Sequence, residues 1–423
     1  MPELESVDVK TLTAESDALR RAYEDYQRAG LSLDMTRGKP CDEQLDLSLD
    51  LLTILAKDDY RSAAGVDARN YGVLDGLPEA KKLFGDLLEV ESHETIVGGN
   101  SSLQLMYEVM SSALHHGVPG GSGPWSAGGT VKLLCPAPGY DRHFSVCQHL
   151  GIEMITVENR LDGPDMDEVE RLAAGDSQIK GIWLVPKHNN PTGGTLSDDV
   201  VDRLARMSAA PDFRIFWDNA YTVHHLTDDP PVLKNILPTC REAGVPDRPI
   251  LFGSTSKISF ASAGVAMLGG SVANMDWFRS HLSKMTIGSD KINQLRHVRL
   301  FRTIDGIHAH MARHAEILRP KFDTVDRILT EQLGGLGIGA WNKPTGGYFI
   351  NFDTVDGCAR RVVALAKGAG VTLTAAGATF PYGKDPRDRN IRLAPTLPPL
   401  SELEQAMKIF AVCVKLATLE RVA

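Results

Sequence analysis

Between residues 131 and 270 one pattern recurs and decides most of what the chain can become. Short, largely apolar runs alternate with stretches of helical spacing: Val131 to Cys135, Ile152 to Val157, Ile179 to Val185, Phe213 to Trp217 and Pro249 to Phe252. Strands of this length separated by helices predict a mainly parallel α/β sheet. In such sheets ligands bind outside the carboxyl ends of the strands. Reading past each run gives the residues that would stand there: Tyr140, Asn190, Asp218 with Tyr221, and Ser254 with Lys257. Chemistry-capable side chains collect at one rim.

The last of these stretches, Phe252-Gly253-Ser254-Thr255-Ser256-Lys257, runs from a buried strand through small hydroxyl residues into one lysine. Val265-Ala266-Met267-Leu268 closes behind it. Apolar surroundings disfavour an ammonium, and a neutral amine is a nucleophile whose usual use is a Schiff base. Alone, the same residue also reads as a lysine that snorkels from a strand end to water. Upstream, Gly98-Gly99-Asn100-Ser101-Ser102 precedes a helix whose apolar positions Leu103, Met106, Met110 and Leu114 face a core. Asn100 or Ser101 is its natural N-cap. That turn can present N–H groups and hydroxyls to a phosphate, or simply cap the helix.

The flanks have a different texture. Residues 9–29 carry helical periodicity (Leu12, Leu19, Ala22, Tyr26) and stop at Gly30; Arg37-Gly38-Lys39-Pro40 is a charged turn. The last third has long helical stretches over 276–335, strands near 346–352, 371–374 and 389–394, and a closing helix at 401–419. This predicts a three-layer large domain over 50–305 and a smaller α+β domain built from 1–49 with 306–423. His310 and His314 stand at i, i+4 but lack an HExxH context, so they read as surface histidines and no metal is expected.

Composition removes other classes. The formal net charge is -9, which would repel a phosphate-rich partner on average, so no nucleic acid is expected. No apolar run approaches the ~20 residues of a membrane span. The acidic start, Met1-Pro2-Glu3-Leu4-Glu5, lacks the apolar core of a secretory signal. Six scattered cysteines with no CxxC pair suit reduced thiols in the cytoplasm.

The rim residues together match what pyridoxal phosphate requires. Its ring nitrogen must stay protonated for the ring to act as an electron sink, which calls for a carboxylate; Asp218 stands at a strand end. Tyr221 and Asn190 can hold the ring oxygen, and Tyr140 can stack on the ring. Ser254 and Ser101-Ser102 can meet the phosphate. Lys257 can form the covalent link and later carry a proton.

In this order and at successive strand ends, the residues resemble the fold-type I pyridoxal phosphate-dependent aminotransferases of class I type. The resemblance runs from about Leu33 onward. It rests on Asn190-Pro191-Thr192-Gly193, Asp218-x-x-Tyr221 and Ser254-x-x-Lys257, with Tyr71, Gly76-Leu77-Pro78, Gly346-Gly347-x-Phe349 and Arg392 in support. Leu33-Asp34-Met35-Thr36-Arg37-Gly38-Lys39-Pro40 looks like a MocR-like subgroup of bacterial aspartate aminotransferases. About 30 residues precede the aminotransferase-like part, too few for the helix-turn-helix domain of true MocR regulators.

The resemblance implies roles. Lys257 is the Schiff-base lysine and general base; Asp218 pairs with the pyridinium nitrogen. Tyr221 and Asn190 hold the ring oxygen; Ser101, Ser102 and Ser254 bind phosphate; Tyr140 stacks. Tyr71 reaches the phosphate across the interface of a homodimer with shared active sites. Arg392 forks onto the substrate α-carboxylate, and Gly38 gives close backbone approach beside the substrate. The implied reaction is a ping-pong transfer of an amino group between an L-amino acid, by subgroup aspartate, and a 2-oxo acid, by subgroup 2-oxoglutarate. A β-lyase or decarboxylase on the same fold, and a non-catalytic MocR-like sensor, are the alternatives. One departure stands out: the family's phosphate-binding arginine, seven or eight residues after the lysine, is replaced by Gly264 and Val265. Arg37, Lys39, Lys187 and Arg296 are candidates for reading the substrate side chain.

Overall fold

The computed structural model describes residues 8–422, without the side chains of residues 9 and 11. After the helix Val9–Ala29 comes a short strand, β1 (Leu33–Met35). The large sheet follows: β2 (Thr95–Val97), β3 (Lys132–Ala137), β4 (Glu153–Glu158), β5 (Ile179–Leu184), β6 (Arg214–Asp218), β7 (Pro249–Ser254) and β8 (Ala266–Gly270). Its order is β2-β8-β7-β6-β5-β3-β4. β3 to β7 pair in parallel, and β8 runs antiparallel to both β7 and β2. Six strands therefore point one way, and their carboxyl ends form one rim.

Both faces of this sheet are covered. Phe216 and Phe252 pack into one apolar cluster with Leu105, Met110 and Phe278, whereas their neighbours Ile215, Trp217 and Leu251 pack into another with Val169, Val201 and Leu204. Burial on both faces explains why the strands are continuous apolar runs rather than alternating ones. The helices end where their chemistry says they should. Asp198–Arg206 has Ser197 as N-cap, its hydroxyl accepting from the Val200 amide, with Asp198 and Asp199 in the first turn and Arg203 and Arg206 in the last. Capping oxygens and dipole-matched charges favour this placement.

Beyond the large sheet, β9 (Gly339–Trp341), β10 (Ile350–Thr354), β11 (Val371–Leu373) and β12 (Asn390–Leu393) make two small sheets. β10 lies between β12 and β9, antiparallel to both, and β1 pairs with β11 in parallel. One apolar cluster joins Leu12, Leu19, Leu33 and Met35 to Phe322, Phe352, Val371, Phe410 and Val414. The helical region expected over 276–335 is three helices, Val272–Met285, Lys291–Phe301 and Ile304–Leu333. All six cysteines are free and buried. Among the described residues, no helix is long and apolar enough to cross a membrane, and no cluster of His, Cys, Asp or Glu could hold a metal ion.

Candidate active site

The rim gathers the side chains that the strand ends announced. Asp218 closes β6 and is 1% exposed. Its Oδ2 accepts from His143 Nε2 at 2.9 Å, and its Oδ1 is buried with no partner. A buried carboxylate oxygen left unpaired is costly, so the site is built for a further donor. His143 comes from the helix Asp141–His149. Its ring stacks on Trp183 (centroids 4.4 Å apart, planes at 12°) and meets Tyr140 edge-on at 5.0 Å.

Tyr221 lies one turn past Asp218 and is buried. Burial, with the Asp218 charge adding to it, pushes its hydroxyl well above the ordinary phenol range. Burial likewise pushes Tyr140 up to about 12. Both are therefore neutral hydroxyls at physiological pH. Asn190 is buried beside the cis bond to Pro191. Its Oδ1 accepts from Arg392 Nη1 at 3.2 Å.

Arg392 reaches the rim from β12, so the small sheet β12-β10-β9 contributes to the site. It is 6% exposed, its guanidinium carbon lies 4.8 Å above the Phe349 ring, and Nη1 donates to Asp141 Oδ1 at 2.8 Å. Its Nε is buried without a partner. A guanidinium held on one side and open on another suits a planar carboxylate.

Lys257 is half-buried rather than walled in, because the rim opens above it. Its Nζ lies 4.8 Å from the centroid of the Tyr221 ring and 6.0 Å from that of Tyr348. Ser254 Oγ donates to Ser256 Oγ, which donates to the Asn100 carbonyl, both at 3.2 Å. These bonds tie the lysine turn to the 98–102 turn. Ser101 is the N-cap of the helix Ser102–His116 by backbone geometry, yet its hydroxyl makes no capping bond. It stays available to a ligand beside the N–H groups of the first helical turn. Val265 is buried, and a Cβ at Gly264 would come within 3.0 Å of Ser256 N, so this turn faces the protein.

Other expected residues sit differently. Tyr71 is 82% exposed, outside the buried group. Gly38 is required by packing: a Cβ there would lie 2.6 Å from Phe349 Cζ and 3.2 Å from Tyr348 Cβ. Lys187 lines a separate cavity of about 140 Å³ with Glu89, Trp217 and Val232. Arg37 and Lys39 are exposed, and Arg296 is half-buried in the helix Lys291–Phe301. His310 and His314 are not surface residues. Both are buried and face the lysine turn, with His310 Nε2 donating to the Ile258 carbonyl at 2.8 Å.

Three residues at the rim escaped the sequence reading: Asp141, His143 and Trp183. A signal existed for His143. It follows Tyr140 by three residues, one helical turn, and a buried Asp218 needs a partner.

The chain matches the family model described as aspartate amino-transferase over residues 6–423. It is 49% identical over 412 residues to a Mycolicibacterium smegmatis protein that bears an aminotransferase name, covering 97% of this chain and 96% of that one. It is 45% identical over 421 residues to an aspartate aminotransferase of Corynebacterium glutamicum, covering 99% and 97%. The crystal structure of an aspartate transaminase from Corynebacterium glutamicum superposes with a TM-score of 0.96 at 45% identity, covering all of both chains. An α-aminoadipate aminotransferase from Thermus thermophilus shares the fold at 18% identity with a TM-score of 0.76. With its fold, its rim and its whole length in agreement with theirs, this chain belongs to the aspartate aminotransferase family and is an aminotransferase.

Proposed function

We propose that this aminotransferase uses pyridoxal 5'-phosphate to move the amino group of L-aspartate to 2-oxoglutarate. The observation that carries the cofactor is the buried, partnerless Oδ1 of Asp218, with Oδ2 already taken by His143. That arrangement fits a protonated ring nitrogen. When bound, the cofactor supplies an electron sink for charge developing at the substrate α-carbon.

The chain's own residues divide the remaining work. Lys257 is the covalent anchor, and once released it carries the proton from the α-carbon as general base. Tyr221 would donate a hydrogen bond from its neutral hydroxyl to the ring oxygen, and the Asn190 amide N–H would donate another. Tyr140 covers the ring face. Ser101, Ser102 and Ser254 bind phosphate with the helix N–H groups. Arg392 orients the α-carboxylate, and Gly38 keeps Phe349 in place beneath it. The exposed Tyr71 suits a place across a homodimer interface, and six reduced thiols suit the cytoplasm. The lobes divide as 50–305 and as 1–49 with 306–423. Aspartate and 2-oxoglutarate are supported by the name of the Corynebacterium glutamicum relative.

Purified protein mixed with pyridoxal phosphate should absorb in the visible, and Lys257→Ala should lose that band. Oxaloacetate should accumulate from L-aspartate only when 2-oxoglutarate is present. A wild type without the band rejects the cofactor; a band with turnover of other amino acids but not aspartate rejects the substrate.

A further inference from the structure

The turn that carries Lys257 is held by three histidines from three different elements. His297, in the helix Lys291–Phe301, donates from Nδ1 to the Asn293 carbonyl at 2.8 Å, so its Nε2 accepts from Ser259 Oγ, also at 2.8 Å. His310, in the helix Ile304–Leu333, holds the Ile258 carbonyl. His224, in the segment after β6, lies with Nε2 3.2 Å from the carbonyl oxygen of Lys257 itself. A carbonyl only accepts, so Nε2 of His224 carries the proton. Its Nδ1 is buried with no partner.

His224 differs from the other two in what else it touches. Its ring meets Tyr221 edge-on at 5.6 Å and Tyr348 at 5.6 Å. These are the two rings whose faces flank the Lys257 amine. Its own carbonyl accepts from the Gly347 amide at 2.8 Å, which ties the segment after β6 to the one that enters β10. Tyr348 hydroxyl donates to the same Lys257 carbonyl at 3.4 Å. One imidazole thus contacts the lysine backbone and both aromatic walls of its side chain.

We propose that His224 is a positioning residue for Lys257: it fixes the lysine backbone and the Tyr221 and Tyr348 rings together, so that the amine swings about a fixed point. This rests on the reading of Lys257 as the cofactor-binding lysine. A side chain that must leave and regain one bond each cycle gains from a fixed pivot, because misplacement by a fraction of an ångström costs rate rather than binding. Burial holds the His224 imidazole neutral, so the contact persists as a neutral donor across the working pH range.

The test uses the holoenzyme and two substitutions. His224→Leu removes the donor; His224→Gln keeps an N–H at similar reach. For His224→Leu, kcat should fall by about tenfold or more with KM for the amino acid changed by less than about threefold. The pH midpoint of the visible band should also move, since the lysine nitrogen would meet an altered environment. His224→Gln should recover most of kcat and the wild-type midpoint. Tyr348→Phe, which keeps the ring and deletes the second donor, should shift kcat in the same direction by less. Wild-type kcat and midpoint in His224→Leu would overturn the proposal, as would a His224→Gln enzyme no better than His224→Leu. If His224→Leu does not fold, the decision passes to His224→Gln and Tyr348→Phe: unaltered midpoints and kcat in Tyr348→Phe, with a large loss in His224→Gln, reject it. A wild type with no visible band defeats the functional reading instead, and this one with it.

Discussion

Asp141 Oδ1 and Arg392 Nη1 are 2.8 Å apart, and the pair joins the helix Asp141–His149 to strand β12 of the small sheet. The arginine expected to greet a substrate carboxylate already holds one. Two carboxylates on one guanidinium repel each other, so Asp141 weakens ligand binding while it keeps a buried arginine oriented. Asp141→Asn keeps an acceptor and removes the competing charge. It should bind a dicarboxylate inhibitor such as maleate about threefold tighter or better, read by inhibition of turnover. Unchanged or weaker inhibition would sink this.

The partnerless oxygen of Asp218 makes a second expectation. Asp218→Asn replaces a carboxylate that can hold a ring proton with an amide that cannot. Turnover should fall by on the order of a thousandfold, with the chain still folded. His143→Phe, which preserves the stack on Trp183 but frees Asp218 Oδ2, should lose less, about tenfold. Equal losses in steady-state assays would show that His143 does more than orient the carboxylate.

Gly38 offers a test from packing. An added Cβ would stand 2.6 Å from Phe349 Cζ, and the Phe349 ring lies under the Arg392 guanidinium. Gly38→Ala should displace that ring and raise KM several-fold, roughly 1 kcal/mol of lost binding. The thermal midpoint should fall as well, since the buried Phe349 ring must shift to admit the methyl group. A wild-type KM would disprove the coupling.

The buried histidines also set how stability follows pH. Burial holds His297 down at about 4 and His188 and His314 at about 3. In the unfolded chain they would bind a proton near the ordinary imidazole value of about 6.5. Their contribution is complete above that value and is lost as pH falls toward the folded values, so unfolding should become easier between about pH 6.5 and 4. The slope for one such group is about 1.4 kcal/mol per pH unit. Urea unfolding at stepped pH should show the decline, and His297→Gln should flatten it. A pH-independent midpoint above pH 5 would refute the assignment.

Much of the rim is legible in the sequence. Strand ends are where a parallel sheet displays function, and Tyr140, Asn190, Asp218, Tyr221, Ser254 and Lys257 all follow the ends of apolar runs. Arg392 and Tyr71 came from the family resemblance, because nothing local marks an arginine in a short strand or an exposed tyrosine as functional. The histidines depart from the sequence expectation, being buried rather than on the surface. His310 and His314 share a helical stripe with Ile307, Met311, Ala315 and Leu318, all buried, so the 3.6-residue period already placed them inside. Asp141 and His143 depend on how one helix is turned, which spacing alone does not fix.

The joining of the first helix to the last carries a further consequence. Val9–Ala29 packs with Leu400–Val422 through Leu12, Leu19, Phe410 and Val414, and Lys415 Nζ lies 3.0 Å from Glu15 Oε2. During synthesis, then, the opening helix must wait for nearly four hundred further residues before its partner leaves the ribosome. Until that moment its apolar stripe lacks these partners, and the cluster that includes Ile391 and Leu393 of β12 is incomplete. Removal of residues 400–422 should leave the opening helix exchanging its amide protons freely in mass spectrometry; strong protection there would show that it finds another partner first.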